Sequence, residues 1–353
     1  MTAYRFDPAV RAWMEEGERI ARQADVAGSL APAGAASSLA PAGAAGAAGS
    51  PAPAGSADPA GVAGPGDAAL VQARAGYRRA CRHFAAPHPA GLTTEDRTIA
   101  GVACRIYRPA RTGGAGILWF HGGGWTVGDL DTHDSVVADL ADGAGAVAIA
   151  VDYRLAPEHP FPAAFDDALA VFRAVRASPP AAAIDPGRIL VAGDSAGGNL
   201  AAAVAQNCRD RGEPGPHGQL LVYPALSGDE ALPSRRLMAD APGLSSADMR
   251  HFLEVYLGRP PVPADLADAR LFPAGAADLR GLPPTFLTAA EYDPLASDVT
   301  AHAAGLRAAG VTVEAIVEAG LPHAWLRARH HARPAAAAFA RLVDAARRLG
   351  QAR

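Results

Sequence analysis

The stretch "VAGDSAGGNL", residues 191 to 200, carries an apolar segment that begins at Arg188 straight into a serine and then into an alanine-rich run. The segment "RILVAG" reads as a buried strand, and "AGGNLAAAVAQNCRDRG" as the helix that follows it. Ser195 stands at the corner, with Gly193 two residues before it and Gly197 two after. Strand, sharp turn and helix around Gly-x-Ser-x-Gly form a nucleophile elbow, where strand and helix come so close that side chains at the two glycines would clash. The turn forces the serine into a strained backbone conformation and lifts its Oγ above the sheet edge. The helix aims its free N–H groups and positive dipole end at the same spot, and Ala196 offers the first of those N–H groups. An ordinary helix N-cap serine gives the same five-residue pattern, so the rest of the chain has to decide.

Around this corner, apolar runs alternate with helical ones. The strand-like runs are "VACRIYRP" (102 to 109), "GILWF" (116 to 120), "AVAIAVDYR" (146 to 154), "GQLLVYPAL" (218 to 226), "PTFLTAAEYD" (284 to 293) and "VTVEAIVEA" (311 to 319). Helical patterns lie between them, and one closes the chain near 335 to 350. Continuous apolar strands alternating with amphipathic helices predict an α/β fold with a mostly parallel central sheet covered by helices on both faces. The stretch 228 to 280 breaks this rhythm; it holds one clear helix, "SADMRHFLEVYLG", and reads as an insertion over one face of the sheet.

Directly after "GILWF" comes "HGGGW", His121 to Trp125. Successive glycines leave backbone N–H groups bare and let a reacting carbonyl approach. Gly123 and Gly124, with Ala196, are the candidate oxyanion donors, each donor being worth about 10²–10³ in rate. The competing readings are a flexible turn or a phosphate cradle, but neither G-x-G-x-x-G nor a GK[ST] ending is present. A serine needs a base, and the base needs an orienting carboxylate. In this architecture the order along the chain is Ser, then Asp or Glu, then His. His323 in "AGLPHAW" follows the last strand, and Asp293 ends the strand before it; Asp298, about one turn into the next helix, is the fallback acid. His121 precedes the serine and reads as structural, whereas His330 and His331 read as solvated.

The chain of 353 residues is 50% hydrophobic and carries a net charge of −4, so it lacks the basic excess that a nucleic-acid partner demands. Cys81, Cys104 and Cys208 show neither a disulfide framework nor a zinc spacing and read as free thiols in a reducing compartment. The charged N-terminus has no secretory apolar core, and no apolar run is long enough to span a membrane, which predicts a cytoplasmic protein. Residues 24 to 68 are almost entirely Ala, Gly, Pro and Ser and repeat "SLAPAGAA"; they read as a flexible insert. Helical patterns flank it at 7 to 22 and 68 to 84.

With these residues in place, the chain resembles the hormone-sensitive lipase family of α/β-hydrolases, particularly its bacterial carboxylesterases. "HGGGW", "VDYRLAPEHPFPAA" (151 to 164), "GDSAGGN" (193 to 199), "YDPL" (292 to 295) and "PHAW" (322 to 325) match its motifs in order. The resemblance covers about 95 to 350. It implies hydrolysis of short- to medium-chain acyl esters by Ser195, Asp293 and His323, no cofactor and no metal, and a small ester as the partner. It also implies a catalytic domain over 93 to 353, with a cap built from residues 1 to 92 and the 228 to 280 insert. Pairing of two copies through the last strand belongs to the same analogy. Asp152, Arg154 and Glu158 are expected to form one supporting polar network, and Asp194 to support the nucleophile. Two departures are visible: "DPLASDV" replaces the family's frequent D-P-L-R-D-E-G, and the 24 to 68 insert is unusual. The same fold also serves as a non-catalytic small-molecule receptor or a dehydratase, a reading that the retained serine, acid and histidine rank below hydrolase.

Overall fold

In chain order the elements are α1 (Pro8–Arg22), α2 (Pro65–His83), β1 (Thr93–Ile99), β2 (Val102–Arg108), β3 (Gly116–Phe120), α3 (Asp134–Ala144), β4 (Val147–Asp152), α4 (Ala163–Ala177), β5 (Ile189–Asp194), α5 (Ala196–Asp210), β6 (Gly218–Val222), α6 (Pro233–Leu237), α7 (Ser246–Leu257), β7 (Thr285–Tyr292), α8 (Ala296–Ala308), β8 (Val313–Pro322) and α9 (Arg333–Gln351). The computed structural model describes residues 4–23 and 65–351. Most of the insert predicted at 24 to 68 therefore lies outside the described residues, and its last four belong to α2.

The strands form one eight-stranded sheet in the order β1-β2-β4-β3-β5-β6-β7-β8. β3, β5 and β6 are buried along their whole length and have no polar face to offer water, so the sheet is covered on both sides. Strand alternation sorts the side chains. Leu118 and Phe120 pack with residues of α4, α5 and α8, while Ile117 and Trp119 pack with residues of α3 and α9. β3 to β8 pair in parallel, so their C-terminal ends share one rim; β1 and β2 join antiparallel at the other edge. β1, "TTEDRTI", is a polar, mostly exposed edge strand without an apolar run, and the sequence pattern does not reveal it. It pairs with β2 in full register from Thr93 opposite Arg108 to Ile99 opposite Val102.

The N-terminal helices pack on the same body. Asp7 caps α1 by accepting from the Ala9 amide, and Val10 enters the core beside α9. The 228 to 280 region folds as α6, α7 and two short 3₁₀ turns, Pro263–Ala267 and Pro273–Gly275, where the sequence showed one helix. α7 begins with a capping box between Ser245 and Asp248.

Candidate active site

The corner between β5 and α5 holds Ser195 at φ +54°, ψ −118°, a conformation that L-residues seldom adopt. Close packing explains the flanking glycines. A Cβ on Gly197 would sit 1.9 Å from the Phe120 carbonyl oxygen, and one on Gly193 would sit 2.4 Å from the Gly197 carbonyl carbon. The Ser195 amide donates to the Val222 carbonyl, which ties the corner to β6.

Three side chains from distant parts of the chain meet here. The Nε2 of His323 lies 3.0 Å from the Ser195 Oγ, and its Nδ1 lies 2.6 Å from the Asp293 Oδ2. Asp293 follows β7 directly and is fully buried; its Oδ1 accepts from the Leu295 amide at 2.8 Å. The ring of Tyr223, at the end of β6, lies 4.6 Å from the His323 ring. Asp298 is elsewhere. Buried on α8, it faces Arg235 of α6, so the structure does not bring the fallback acid to the histidine. His330 pairs with Asp139, and His331 is exposed with its ring edge against Phe84.

The glycine loop after β3 lies against the same corner. The Gly122 amide donates to the Asp194 Oδ1 at 2.8 Å, and the Gly123 carbonyl accepts from Thr126 and Val127. Gly123, Gly124 and Trp125 all take positive φ, at +129°, +58° and +58°. The N–H groups of Gly123, Gly124 and Ala196 donate to no acceptor among the described residues. Phe252 of α7 stands directly over Gly124, and Tyr256, one turn on, stacks on Trp125 with ring centroids 4.4 Å apart. From the other side, Arg74 of α2 donates to the Thr126 carbonyl at 2.8 Å.

Behind the loop sits Asp194. Burial opposes its ionisation, but His133, Arg327 and the Gly122 amide outweigh that and hold its carboxyl below the usual range. His133 Nε2 lies 3.2 Å from its Oδ1, and the Tyr223 hydroxyl donates to its Oδ2 at 3.4 Å. His121 is buried beneath the loop, stacked on Tyr153, with Nδ1 2.9 Å from the Gly122 carbonyl oxygen; burial pushes its pKa down to about 4, so it is neutral at physiological pH.

The expected network of Asp152, Arg154 and Glu158 does not exist as a unit. Arg154 pairs with Asp167 on α4, Glu158 pairs with Arg74 on α2, and burial together with the Asp129 charge pushes Asp152 up to about 6. After β4 the chain turns, so neighbouring polar residues face different elements. His133, Tyr223, Arg74 and Arg235 were not singled out from the sequence. Tyr223 alone left a faint trace, as an aromatic residue before Pro224 at a strand end.

No helix among the described residues is long and apolar enough to cross a membrane, and no cluster of three or more His, Cys, Asp or Glu side chains among them could hold a metal ion. A family model described as the α/β-hydrolase fold matches residues 117–327. The carboxylesterase NlhH of Mycobacterium tuberculosis is 44% identical over 247 residues, 67% of this chain and 76% of that protein. The ethyl acetate hydrolase of Pseudomonas putida is 37% identical over 241 residues, 67% of this chain and 74% of that protein. The solved structure of a hyperthermophilic esterase from the archaeon Pyrobaculum calidifontis is similar with a TM-score of 0.74 at 33% identity, over 80% of this chain and 92% of that one.

Proposed function

The chain belongs to the hormone-sensitive lipase family of α/β-hydrolases and is a carboxylic ester hydrolase, and on that footing we propose that Ser195 is its nucleophile, His323 its general base and Asp293 the acid that orients the base. The observation that carries the proposal is the unbroken line from the Asp293 carboxylate through the His323 ring to the Ser195 hydroxyl, with contacts of 2.6 and 3.0 Å. His323 takes the Ser195 proton as Oγ attacks the ester carbonyl. Asp293 holds the ring with Nδ1 protonated and stabilises the imidazolium that forms. The developing oxyanion is received by the N–H groups of Gly123, Gly124 and Ala196; that they have no other acceptor among the described residues supports this assignment. His323 then gives its proton to the departing alcohol, and a water activated by the same ring releases the acid.

The proposed substrates are esters of short- to medium-chain acids. Phe252 packed against Gly124 and Tyr256 stacked on Trp125 support this reading, because they set aromatic walls of α7 beside the glycine loop. The cap consists of α1, α2, α6 and α7. Two copies pair along β8, whose outer edge is unpaired among the described residues and where Val317 is exposed.

The test is Ser195→Ala with a panel of p-nitrophenyl esters of increasing acyl length. The variant is expected to lose about 10⁴–10⁶ in kcat. A serine-directed organophosphate should add its mass to the wild-type peptide containing Ser195. Near-wild-type turnover by the variant, or labelling at another residue, sinks the assignment; kcat/KM that keeps rising to long chains sinks the substrate class.

A further inference from the structure

The turn that carries the proposed acid, Asp293 to Asp298, has no arginine of its own, yet it is gripped by one from another part of the chain. The Pro294 carbonyl oxygen, on the residue directly after Asp293, accepts from the Ser234 hydroxyl and from Arg235 Nη1, both at 2.6 Å. Ser234 and Ser297 exchange amide-to-hydroxyl hydrogen bonds at 3.0 Å in each direction. Arg235 Nη2 donates to the Ser227 carbonyl at 2.9 Å and lies 2.8 Å from the Asp298 Oδ1. Asp298 in turn accepts from the amides of Leu226 and Ser227, both at 2.9 Å. The side chains of Arg235 and Asp298 are 2% and 0% exposed.

A buried ion pair is a weak way to stabilise a fold, since apolar residues of similar size often replace it without loss. What it does well is hold geometry. Here Nη1 of the guanidinium holds the backbone carbonyl next to the acid, while Nη2 holds the Ser227 carbonyl and the Asp298 carboxylate at the far end of the turn. The same Pro294–Leu295 peptide presents the Leu295 amide to the Asp293 Oδ1, so its rotation would release the carboxylate from that donor, and Ser234 and Arg235 oppose the rotation by holding its carbonyl. The Arg235 carbonyl also accepts from the Ser246 hydroxyl at 2.6 Å, at the start of α7. The clamp therefore ties the helix over Gly124 to the turn that holds the acid.

We propose that Arg235, seconded by Ser234, is a positioning residue that sets the orientation of the Asp293 carboxylate and couples it to the 228 to 280 region. The proposal rests on the triad reading above. Three variants of the full chain test it: Ser234→Ala, Arg235→Met, and the double variant Arg235→Met with Asp298→Asn. Arg235→Met strands a buried carboxylate and is expected to melt early. The double variant removes that charge and should recover most of the melting temperature. Its kcat should nonetheless stay about ten- to a hundredfold low, with KM within about threefold, because the acid has lost its alignment. Ser234→Ala removes a single donor and should lower kcat several-fold at unchanged KM. Wild-type kcat in both Ser234→Ala and the double variant overturns the proposal. Organophosphate labelling keeps the two readings apart. If wild-type Ser195 is not labelled, the triad itself falls; if it is labelled and the variants turn over normally, only the role of Arg235 falls.

Discussion

Replacing Gly124 with alanine probes the proposed oxyanion loop, and its effect can be worked from the geometry. Gly124 sits at φ +58°, where an L-residue costs roughly 1–2 kcal/mol more than in its ordinary conformation. A Cβ there would also lie 2.5 Å from both Cγ and Cδ1 of Phe252. Cγ is the inner atom of the ring, so the ring cannot slide aside; χ1 must change or α7 must move, at roughly another 1 kcal/mol. The total, roughly 2–3 kcal/mol, corresponds to a fall of roughly 3–4 °C in Tm for a chain of this length. Activity should fall further than stability. Displacing one oxyanion donor lowers kcat by about 10²–10³, while KM changes little because the donor acts on charge that appears in the transition state. Adding Phe252→Ala removes the collision but leaves the backbone strain, so the double variant should regain about tenfold in kcat. The assay is steady-state hydrolysis of p-nitrophenyl acetate beside a thermal melt. If Gly124→Ala melts early yet keeps kcat within twofold of wild type, the amide has no part in catalysis. If the second substitution restores nothing, Phe252 is not what the new methyl group meets.

Two further outcomes are expected. Asp293→Asn keeps an acceptor for the Leu295 amide but presents the wrong group to His323 Nδ1, so kcat should fall by about 10⁴ in a folded protein; a loss under tenfold, measured by steady-state kinetics, argues against the acid assignment. His302 is buried on α8, and burial pushes its pKa down to about 4, whereas the unfolded chain protonates near 6.5. As pH falls from 6.5 towards 4, the unfolded state takes up a proton that the native state refuses, and stability is lost. At pH 5 the loss from this residue is roughly 2 kcal/mol relative to pH 7. His302→Leu should therefore show a smaller drop in urea-unfolding free energy between pH 7 and pH 5 than wild type, and an equal drop contradicts the argument.

Which parts of this molecule could be read in advance follows from how far each signal reaches along the chain. The elbow at Ser195 is a local matter: two glycines between a strand that ends at Asp194 and a helix that starts at Ala196 announce a turn too tight for side chains. The parallel strands are equally local, because burial on both faces demands unbroken apolar runs such as "GILWF". β1 escaped because an edge strand with solvent on both sides keeps "TTEDRTI" polar; its partner, not its composition, makes it a strand. The start of α2 was missed because Pro65 and Gly66 share the composition of the insert before them, so no change in residue type marks the boundary. Asp152, Arg154 and Glu158 share a motif but not a direction, so adjacency suggested a network where three separate pairings or environments exist. Arg235 lies 58 residues before Asp293 in a loop-rich region, and no periodicity connects them; only the fold brings its guanidinium to the acid's turn.

The bond between the Gly122 amide and the Asp194 carboxylate links two parts that any redesign would prefer to adjust separately. Residue 194 is the immediate neighbour of the proposed attacking group, and residue 122 begins the loop proposed to absorb the charge that the attack creates. One carboxylate thus serves as hinge pin for both. An effort to retune this enzyme for a different acyl group has freedom in the helices above, but reshaping the glycine loop shifts Ser195 as well, and the two must be optimised as a single part.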